Sequence, residues 1–344
     1  MKNKNNSKNL SQAKKEKNDE FYTQYCDIEK EMQAYLEYKP DIFKDQVLLL
    51  PCDNPEWSNF TKYFVENFSR LKLKKIISTS YSDLNDTRKK GKILTMGRDN
   101  NCNNILISSL KGNGDFRSDE IKKLRDESDI IITNPPFSLF RVFLNWVMEA
   151  NKKFSIIGNM NSVTCKDVFP LIQKNRLWFG ATISSGDREF RVPDNYPLNS
   201  SGFRVDNNGS KYIRVKGVRW FSNIEHGRRH DKLLLKKMKE NIEIDQKILN
   251  KKNAYKEYDN YNAIEIPKTR SIPKDYNGIM GVPISFLDKY NPEQFEIVGM
   301  DFYVKDGLLN NLIKTGWNGK LDRAYLNGSR LYSRILIHNK EGVR

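Results

Sequence analysis

The stretch Asp129-Ile-Ile-Ile-Thr-Asn134-Pro-Pro-Phe137 constrains this chain more than any other. Consecutive β-branched isoleucines predict a strand buried on both faces, as in a parallel sheet. Pro135 and Pro136 fix their own φ angles and push the residue before each toward extended geometry. The strand therefore ends in a stiff corner that cannot continue the sheet. An amphipathic pattern from Leu139 to Ala150 predicts a helix at once. Strand, rigid corner and helix in succession are the unit of an α/β sheet, and such sheets gather ligands at the C-terminal ends of their strands.

The flanking sequence repeats that alternation. Residues 19–38 have helical spacing at Phe21, Tyr25, Ile28, Met32, Tyr35 and Leu36, and Pro40 ends the pattern. Val47–Leu50 and Lys75–Thr79 predict strands around a helix carrying Phe60, Phe64, Phe68 and Leu71 on one face. Residues 91–110 suggest a hairpin, and Ser118 with Asp119 and Glu120 a capped helix start. Phe154–Ile157 and Leu177–Ala181 predict further strands, with a helix at Phe169–Lys174 between them. The expected fold is α/β: a doubly wound, mostly parallel, Rossmann-like sheet followed by an irregular α+β region. In that region Tyr212–Val215, Val218–Phe221, Phe295–Val298 and Arg334–Ile337 read as short strands, and Asp231–Lys252 as a basic helix. The expected division is a polar, lysine-rich flexible tail over 1–18, a catalytic domain over 19–182, and a substrate-reading region over 183–344.

Composition narrows the function classes. Lysine and arginine (59) exceed aspartate and glutamate (43), a net charge of +16, which favours a polyanionic partner. No run of about 18 apolar residues is present, and the N-terminus lacks the apolar stretch of a signal peptide, so a cytoplasmic protein without a membrane is expected. Cys26, Cys52, Cys102 and Cys165 form no CxxC, which argues against a disulfide framework or zinc knuckle. His226 and His230 stand four apart, but no HExxH or cysteine pair accompanies them, so no metal site is expected.

The corner suits one chemistry well. An adenine N6 amine is a poor nucleophile because its lone pair is delocalised into the ring. A site that methylates it must accept hydrogen bonds from both N–H groups and draw the nitrogen toward tetrahedral geometry. The Asn134 side-chain carbonyl and the Pro135 backbone carbonyl can be those acceptors. Pro136 stiffens the loop, and Phe137 offers a flat face for an extruded base. The plainer alternative is a rigid loop in which Asn134 caps the next helix. The isoleucine strand before it and the aromatic after it favour the catalytic reading.

These residues resemble motif IV, (D/N/S)PP(Y/F), of amino-methyltransferases acting on DNA. Together with Pro51-Cys-Asp-Asn-Pro-Glu-Trp-Ser-Asn-Phe60, Gly114-Asp-Phe-Arg-Ser-Asp119, Gly158-Asn-Met-Asn161 and Gly281-Val-Pro-Ile-Ser-Phe-Leu-Asp288, they resemble the EcoRI-type adenine-specific DNA methyltransferase family from about residue 19 onward. The resemblance implies S-adenosylmethionine as cofactor. It implies that the turn after the first strand, with Pro51, Asp53 and Pro55, serves that cofactor, Asp53 facing its ammonium. Asp53 also reads as a turn residue or helix cap. The turn lacks the glycines usual in the wider superfamily. Asp115-Phe116 resembles motif III, where the acid meets the cofactor's adenine amine and the ring packs on its base. Phe21-Tyr22-Thr23 resembles motif X near the methionine end. Asp83 is a weak candidate for the ribose hydroxyls.

With the cofactor elements first and the irregular region last, the motif order resembles the gamma arrangement, and the C-terminal region should read the target. Arg188, Arg191, Arg204, Arg214, Arg219, Arg228 and Arg229, interleaved with aromatic residues, are its candidates for phosphate or guanine contacts. The expected partner is double-stranded DNA. The expected setting is a restriction-modification system or a phage-borne protective methylase, acting as a monomer. A cognate restriction endonuclease would share the site without forming a stable complex. The alternatives are an RNA or protein-glutamine amino-methyltransferase, or a DNA-binding module without turnover.

Overall fold

The computed structural model describes residues 23–82, 90–99, 102–183, 187–192 and 202–341. The proposed 1–18 tail, Tyr22 and Asp83 lie outside them. Two compact units are present: the described residues of Met1–Ser162 and Phe179–His226, and those of Val163–Trp178 and Gly227–Arg344. This division departs from the boundary read at 182/183, since residues up to His226 join the first unit.

The first unit begins with α1 (Tyr25–Tyr38), whose Ile28, Met32 and Tyr35 are buried at helical spacing. Strand β1 (Val47–Leu50) follows, then α2 (Asn59–Glu66) and β2 (Lys75–Thr79). A hairpin of β3 (Lys92–Asp99) and β4 (Cys102–Ser109) precedes α3 (Asp119–Glu127), β5 (Ile130–Thr133), α4 (Phe140–Glu149) and β6 (Lys153–Asn159). In the second unit α5 spans Phe169–Gln173, and the short strand β7 (Trp178–Phe179) leads back into the first unit. Next come β8 (Asp187–Val192), β9 (Arg204–Val205), β10 (Lys211–Lys216) and β11 (Val218–Ser222).

Eight of these strands form one sheet in the order β4-β3-β2-β1-β5-β6-β11-β7. Its centre, β2-β1-β5-β6, is parallel, with Leu48 opposite both Ile76 and Ile130. The expectation of a mostly parallel sheet needs correction. The hairpin strand β3 pairs antiparallel with β2, and β11 runs antiparallel to β6. The sheet is therefore mixed. β1 and β5 are fully buried, as continuous apolar runs require. The order reverses at β1: the chain steps outward to β2, then returns to place β5 on the other side. The two strand ends at that reversal carry the Pro51–Ser58 turn and the proline corner.

A separate three-stranded sheet, β8-β10-β9, is antiparallel throughout. Its apolar face presents Phe190, Val192, Ile213 and Val215 to the unit's core.

In the second unit α6 (Met238–Lys251) starts later than the helix predicted from Asp231, and Asp245 breaks its helical geometry. The strands β12 (Ile264–Glu265), β13 (Met280–Pro283), β14 (Phe295–Met300), β15 (Tyr325–Leu326), β16 (Ser329–Arg330) and β17 (Arg334–Asn339) follow. The order β12-β13-β17-β14 makes a four-stranded sheet. A buried cluster fixes it: Arg334 donates to both Glu265 carboxylate oxygens at 2.8 and 2.9 Å, and Tyr258 to one of them at 2.6 Å. Asn327 and Gly328 both take positive φ (50° and 71°), the turn that a two-residue hairpin between β15 and β16 requires. Among the described residues no helix is long and apolar enough to cross a membrane.

Candidate active site

The proline corner stands at the C-terminal end of β5. Pro136 adopts φ −52° and ψ 127°, and Phe137–Leu139 form a 3-10 turn that runs into α4. The Leu139 amide donates to the Pro136 carbonyl at 2.9 Å. Pro135 is buried, while Asn134, Pro136 and Phe137 are half-buried. The Phe137 ring meets Phe190 of β8 edge to face, with centroids 6.3 Å apart and planes at 88°. Behind the corner, Phe140 fills the space that a side chain at Gly158 would need: a Cβ there would sit 2.3 Å from its ring.

The turn after β1 is built differently. No glycine is used, and hydrogen bonds hold it instead. The Asp53 amide donates to the Thr79 carbonyl at 3.0 Å. The Ser78 hydroxyl donates to the Asp53 carbonyl at 2.7 Å. The Asp53 carboxylate accepts from Ser58 at 2.7 Å and from Thr133 at 2.6 Å. Ser58 in turn caps α2, accepting from the Phe60 amide at 3.1 Å. Asp53 is 4 % exposed. Burial pushes its pKa up to about 7, against the pull of the two hydroxyl donors. Its carboxylate thus spans from the turn to the last residue of β5, directly before Asn134.

Other positions expected to serve the cofactor are distributed as follows. Thr23 is buried, its carbonyl accepts from Asn59 at 2.7 Å at the start of α2, and its own hydroxyl has no hydrogen-bond partner. Pro51 and Pro55 are buried within the turn. Asp115 is half-buried and chelated by Arg117, whose guanidinium bonds hold its carboxyl below the usual range. Phe116 is 5 % exposed, and its ring packs edge-on against Phe143 and Trp146 at 5.1 and 5.6 Å. That ring is engaged in the core around α4 rather than laid open as a stacking face. Gly114 (φ +82°) and Gly91 bring their backbones against the Ser80 carbonyl at the end of β2, where a Cβ would lie 2.1 or 2.5 Å from it. Glycine is thus spent there, not in the β1 turn.

The arginines divide sharply. On β8, β9 and β10, Arg191, Tyr212 and Arg204 are cross-strand neighbours on the solvent face, with Arg214 opposite Glu189. Arg191, Arg204 and Arg214 are exposed. Arg204 lies 4.4 Å over the Tyr212 ring and pairs with Glu189. Arg188 is on the inner face, opposite Val215, and its Nε is buried without a hydrogen-bond partner. Two arginines need correction as surface contacts. Arg219 is 4 % exposed, donates to the Val218 carbonyl and lies over Phe179. Arg229 is equally buried, 3.7 Å over Trp178 and bonded to Asn175. Arg228 remains exposed. His226 is buried against the Phe179 carbonyl, and His230 pairs with Glu293. Among the described residues no group of three or more His, Cys, Asp or Glu could hold a metal ion.

Sequence reading missed Thr133, Ser58, Ser78 and Thr61, the hydroxyls that organise the two strand ends. Only Ser58, at the start of α2, carried a local signal, that of a helix cap; the pairing of the others follows from the sheet.

The chain is similar to known proteins over nearly its whole length. Residues 9–340 match the model of the family described as adenine-specific methyltransferase EcoRI. The chain is 41 % identical to the Type II methyltransferase M.EcoRI of Escherichia coli, covering 97 % of each. It is 34 % identical to a Type II methyltransferase of Mycoplasma genitalium, covering 96 % of this chain and 99 % of the relative. With the Type II methyltransferase M.MpnI of Mycoplasma pneumoniae the identity is 33 %, over 97 % and 99 %. No solved structure matches the chain. A family match across nearly its whole length, joined to a proline corner set at the reversal of a mixed α/β sheet, shows that this chain belongs to the EcoRI family of adenine-specific methyltransferases.

Proposed function

We propose that this adenine-specific DNA methyltransferase modifies the exocyclic N6 of an adenine swung out of the duplex, with Asn134–Phe137 as the base pocket. The observation that carries the reading is the position of the corner. It lies at the C-terminal end of β5, beside the end of β1, where the strand order reverses. The same reversal supports a Rossmann-like, doubly wound reading of the parallel centre.

In this reading the Asn134 side-chain carbonyl and the Pro135 carbonyl accept the two N6–H bonds and draw the nitrogen lone pair out of the ring. The Phe137 ring, kept on edge by Phe190, stacks on the base. Pro135 and Pro136 spare the site the cost of ordering that loop at the moment of reaction. Bound S-adenosylmethionine would supply an electrophilic methyl group on a sulfonium. The residues present fit such a molecule: the buried, unpartnered Thr23 hydroxyl is a polar group waiting for a partner beside the β1 turn. Thr23, Pro51, Pro55 and Asp115 are assigned to its pocket, Phe116 to the wall behind, and Asp53 to holding the β1 turn on which the pocket stands. No strong general base is needed if the proton leaves after transfer.

Residues 183–344 are assigned to target reading, with exposed Arg191, Arg204, Arg214 and Arg228 at its surface. The chain would act as a monomer, protecting DNA in a restriction-modification or phage setting. That setting is supported by relatives named as Type II methyltransferases.

The deciding experiment is labelled methyl transfer to unmodified DNA, followed by nucleoside analysis. N6-methyladenine formed by wild type and lost in Asn134→Ala is the expected result. Label entering RNA or protein, but not DNA, overturns the reading.

A further inference from the structure

The turn after β1 and the corner after β5 are joined by a single buried carboxylate. Asp53 is fixed at its amide, its carbonyl and both carboxylate oxygens. The partners are the Thr79 carbonyl at 3.0 Å, the Ser78 hydroxyl at 2.7 Å, and the hydroxyls of Ser58 and Thr133 at 2.7 and 2.6 Å. Asp53, Ser58, Ser78 and Thr133 are all nearly inaccessible to solvent. The Ser78 proton points at the Asp53 carbonyl, so Thr61, 2.7 Å from the Ser78 oxygen, must be the donor to Ser78. The chain of hydroxyls therefore ties α2, β2 and the β1 turn to one residue of β5.

That residue, Thr133, is the last of its strand and the immediate neighbour of Asn134. Its fixed orientation sets where the Asn134 backbone leaves the sheet, and Pro135 then forbids the chain to relax by changing φ. Both Asp53 oxygens accept from uncharged hydroxyls, the arrangement of a brace rather than of an exposed anion awaiting an ammonium. We propose that Asp53 is a positioning residue for the base pocket: through Thr133 it fixes the Asn134 acceptor, and through Ser58 and Ser78 it ties that placement to the β1 turn. This deepens the reading of the corner as the base pocket and rests on it.

The test compares Thr133→Val, which keeps the shape and removes the donor, with Thr133→Ser, which keeps the donor. Labelled transfer to DNA is measured at saturating S-adenosylmethionine. Binding of S-adenosylhomocysteine is measured separately by calorimetry, without turnover. Thr133→Val and Asp53→Asn should slow transfer on the order of 10- to 100-fold, the scale of a small misplacement near a reacting atom. S-adenosylhomocysteine affinity should stay within about threefold, on the scale of one modest hydrogen bond. Thr133→Ser should restore most of the rate. The double variant should be no slower than the slower single variant, because both break one link. Should Thr133→Val not fold, Ser58→Ala removes the other hydroxyl from the same carboxylate and should slow transfer more weakly in the same sense.

Wild-type rates in both Thr133→Val and Ser58→Ala overturn the proposal. So does a loss in Asp53→Asn that appears wholly as weaker S-adenosylhomocysteine binding. Asn134→Ala separates the two levels. If it transfers normally, the base-pocket reading itself has failed. If it is inactive while Thr133→Val is normal, only the brace has failed.

Discussion

The corner after β5 and the turn after β1 solve the same problem by opposite means. Each holds a strand end still. The corner does it covalently, with Pro135 and Pro136 removing backbone freedom. The turn does it with buried hydrogen bonds that converge on Asp53 from 5, 25 and 80 residues away in sequence. The difference teaches where each strand end is vulnerable. The φ angles of a proline corner are indifferent to pH and to distant substitutions, but its placement follows the strand end that carries it. A carboxylate hub responds to both, and its loss is felt at every element it joins.

The largest expected effect tests a third loop that shares neither device. Phe116 precedes α3 and is buried against Phe143 and Trp146. Phe116→Ala should cost about 3–5 kcal/mol of stability, the usual range for a buried phenylalanine. A chaotrope titration of the ligand-free protein would show it. A variant of wild-type stability that binds S-adenosylhomocysteine poorly would instead make Phe116 a true cofactor contact.

The second effect separates hub from corner by pH. The Asp53 carboxyl titrates at about 7 when folded against 3.8 in its ordinary state, so the folded protein holds the extra proton between those values. Stability must then fall as pH rises through that window and level off above it. At about 1.4 kcal/mol per unit, the loss is at most about 4 kcal/mol. Glu31, pushed up by burial, and Asp301 in the second unit, pushed up to about 6 by burial, contribute in the same sense. The wild-type curve alone therefore mixes all three, and the difference from Asp53→Asn isolates the hub. That difference should grow in favour of Asp53→Asn from pH 4 to pH 7, about the window of the cited shift. A flat difference would mean that Asp53 is ionised throughout and that its burial is otherwise compensated.

The same contrast explains what the sequence made legible. Strands β1, β2 and β5 announced themselves as short apolar runs, and the corner as two prolines, because those signals are local. Strand direction is not local. Val218–Phe221 reads from sequence only as a short strand of the irregular region, yet Val218–Ser222 is buried at every position and pairs antiparallel with β6 in the main sheet. The hub was invisible for the same reason: Thr133 and Asp53 are ordinary residues until the sheet brings them within 2.6 Å. Arg219 and Arg229 read as surface charge from sequence. Burial over Phe179 and Trp178 became plain only from the fold, since a guanidinium can lie flat on a ring while its N–H groups find carbonyl oxygens.

At the corner, Asn134→Ala should reduce transfer by about 10²–10³-fold, the loss seen when one aligned hydrogen-bonding group leaves a preorganised site. Since Asn134 is only half-buried, stability should change by less than about 1 kcal/mol. A loss of stability as large as that of Phe116→Ala would recast Asn134 as a structural cap and bring the corner closer in kind to the turn.

The smallest effect extends the contrast from strand ends to arginines. Arg191 and Arg214 stand exposed on one face of the β8-β10-β9 sheet, whereas Arg219 is buried. Replacing either exposed arginine by alanine should leave folding unchanged and lower the dependence of DNA affinity on salt by about one unit of slope, as loss of one phosphate contact does. Arg204→Ala should do less, because Glu189 already neutralises that guanidinium at 2.5 Å. Arg219→Ala should do the reverse, lowering the unfolding midpoint with no change of slope in the protein that remains folded, since its guanidinium serves the Val218 carbonyl and the Phe179 ring. Identical slopes for wild type, Arg191→Ala and Arg214→Ala would remove this sheet face from the DNA track and leave the excess positive charge to be placed elsewhere.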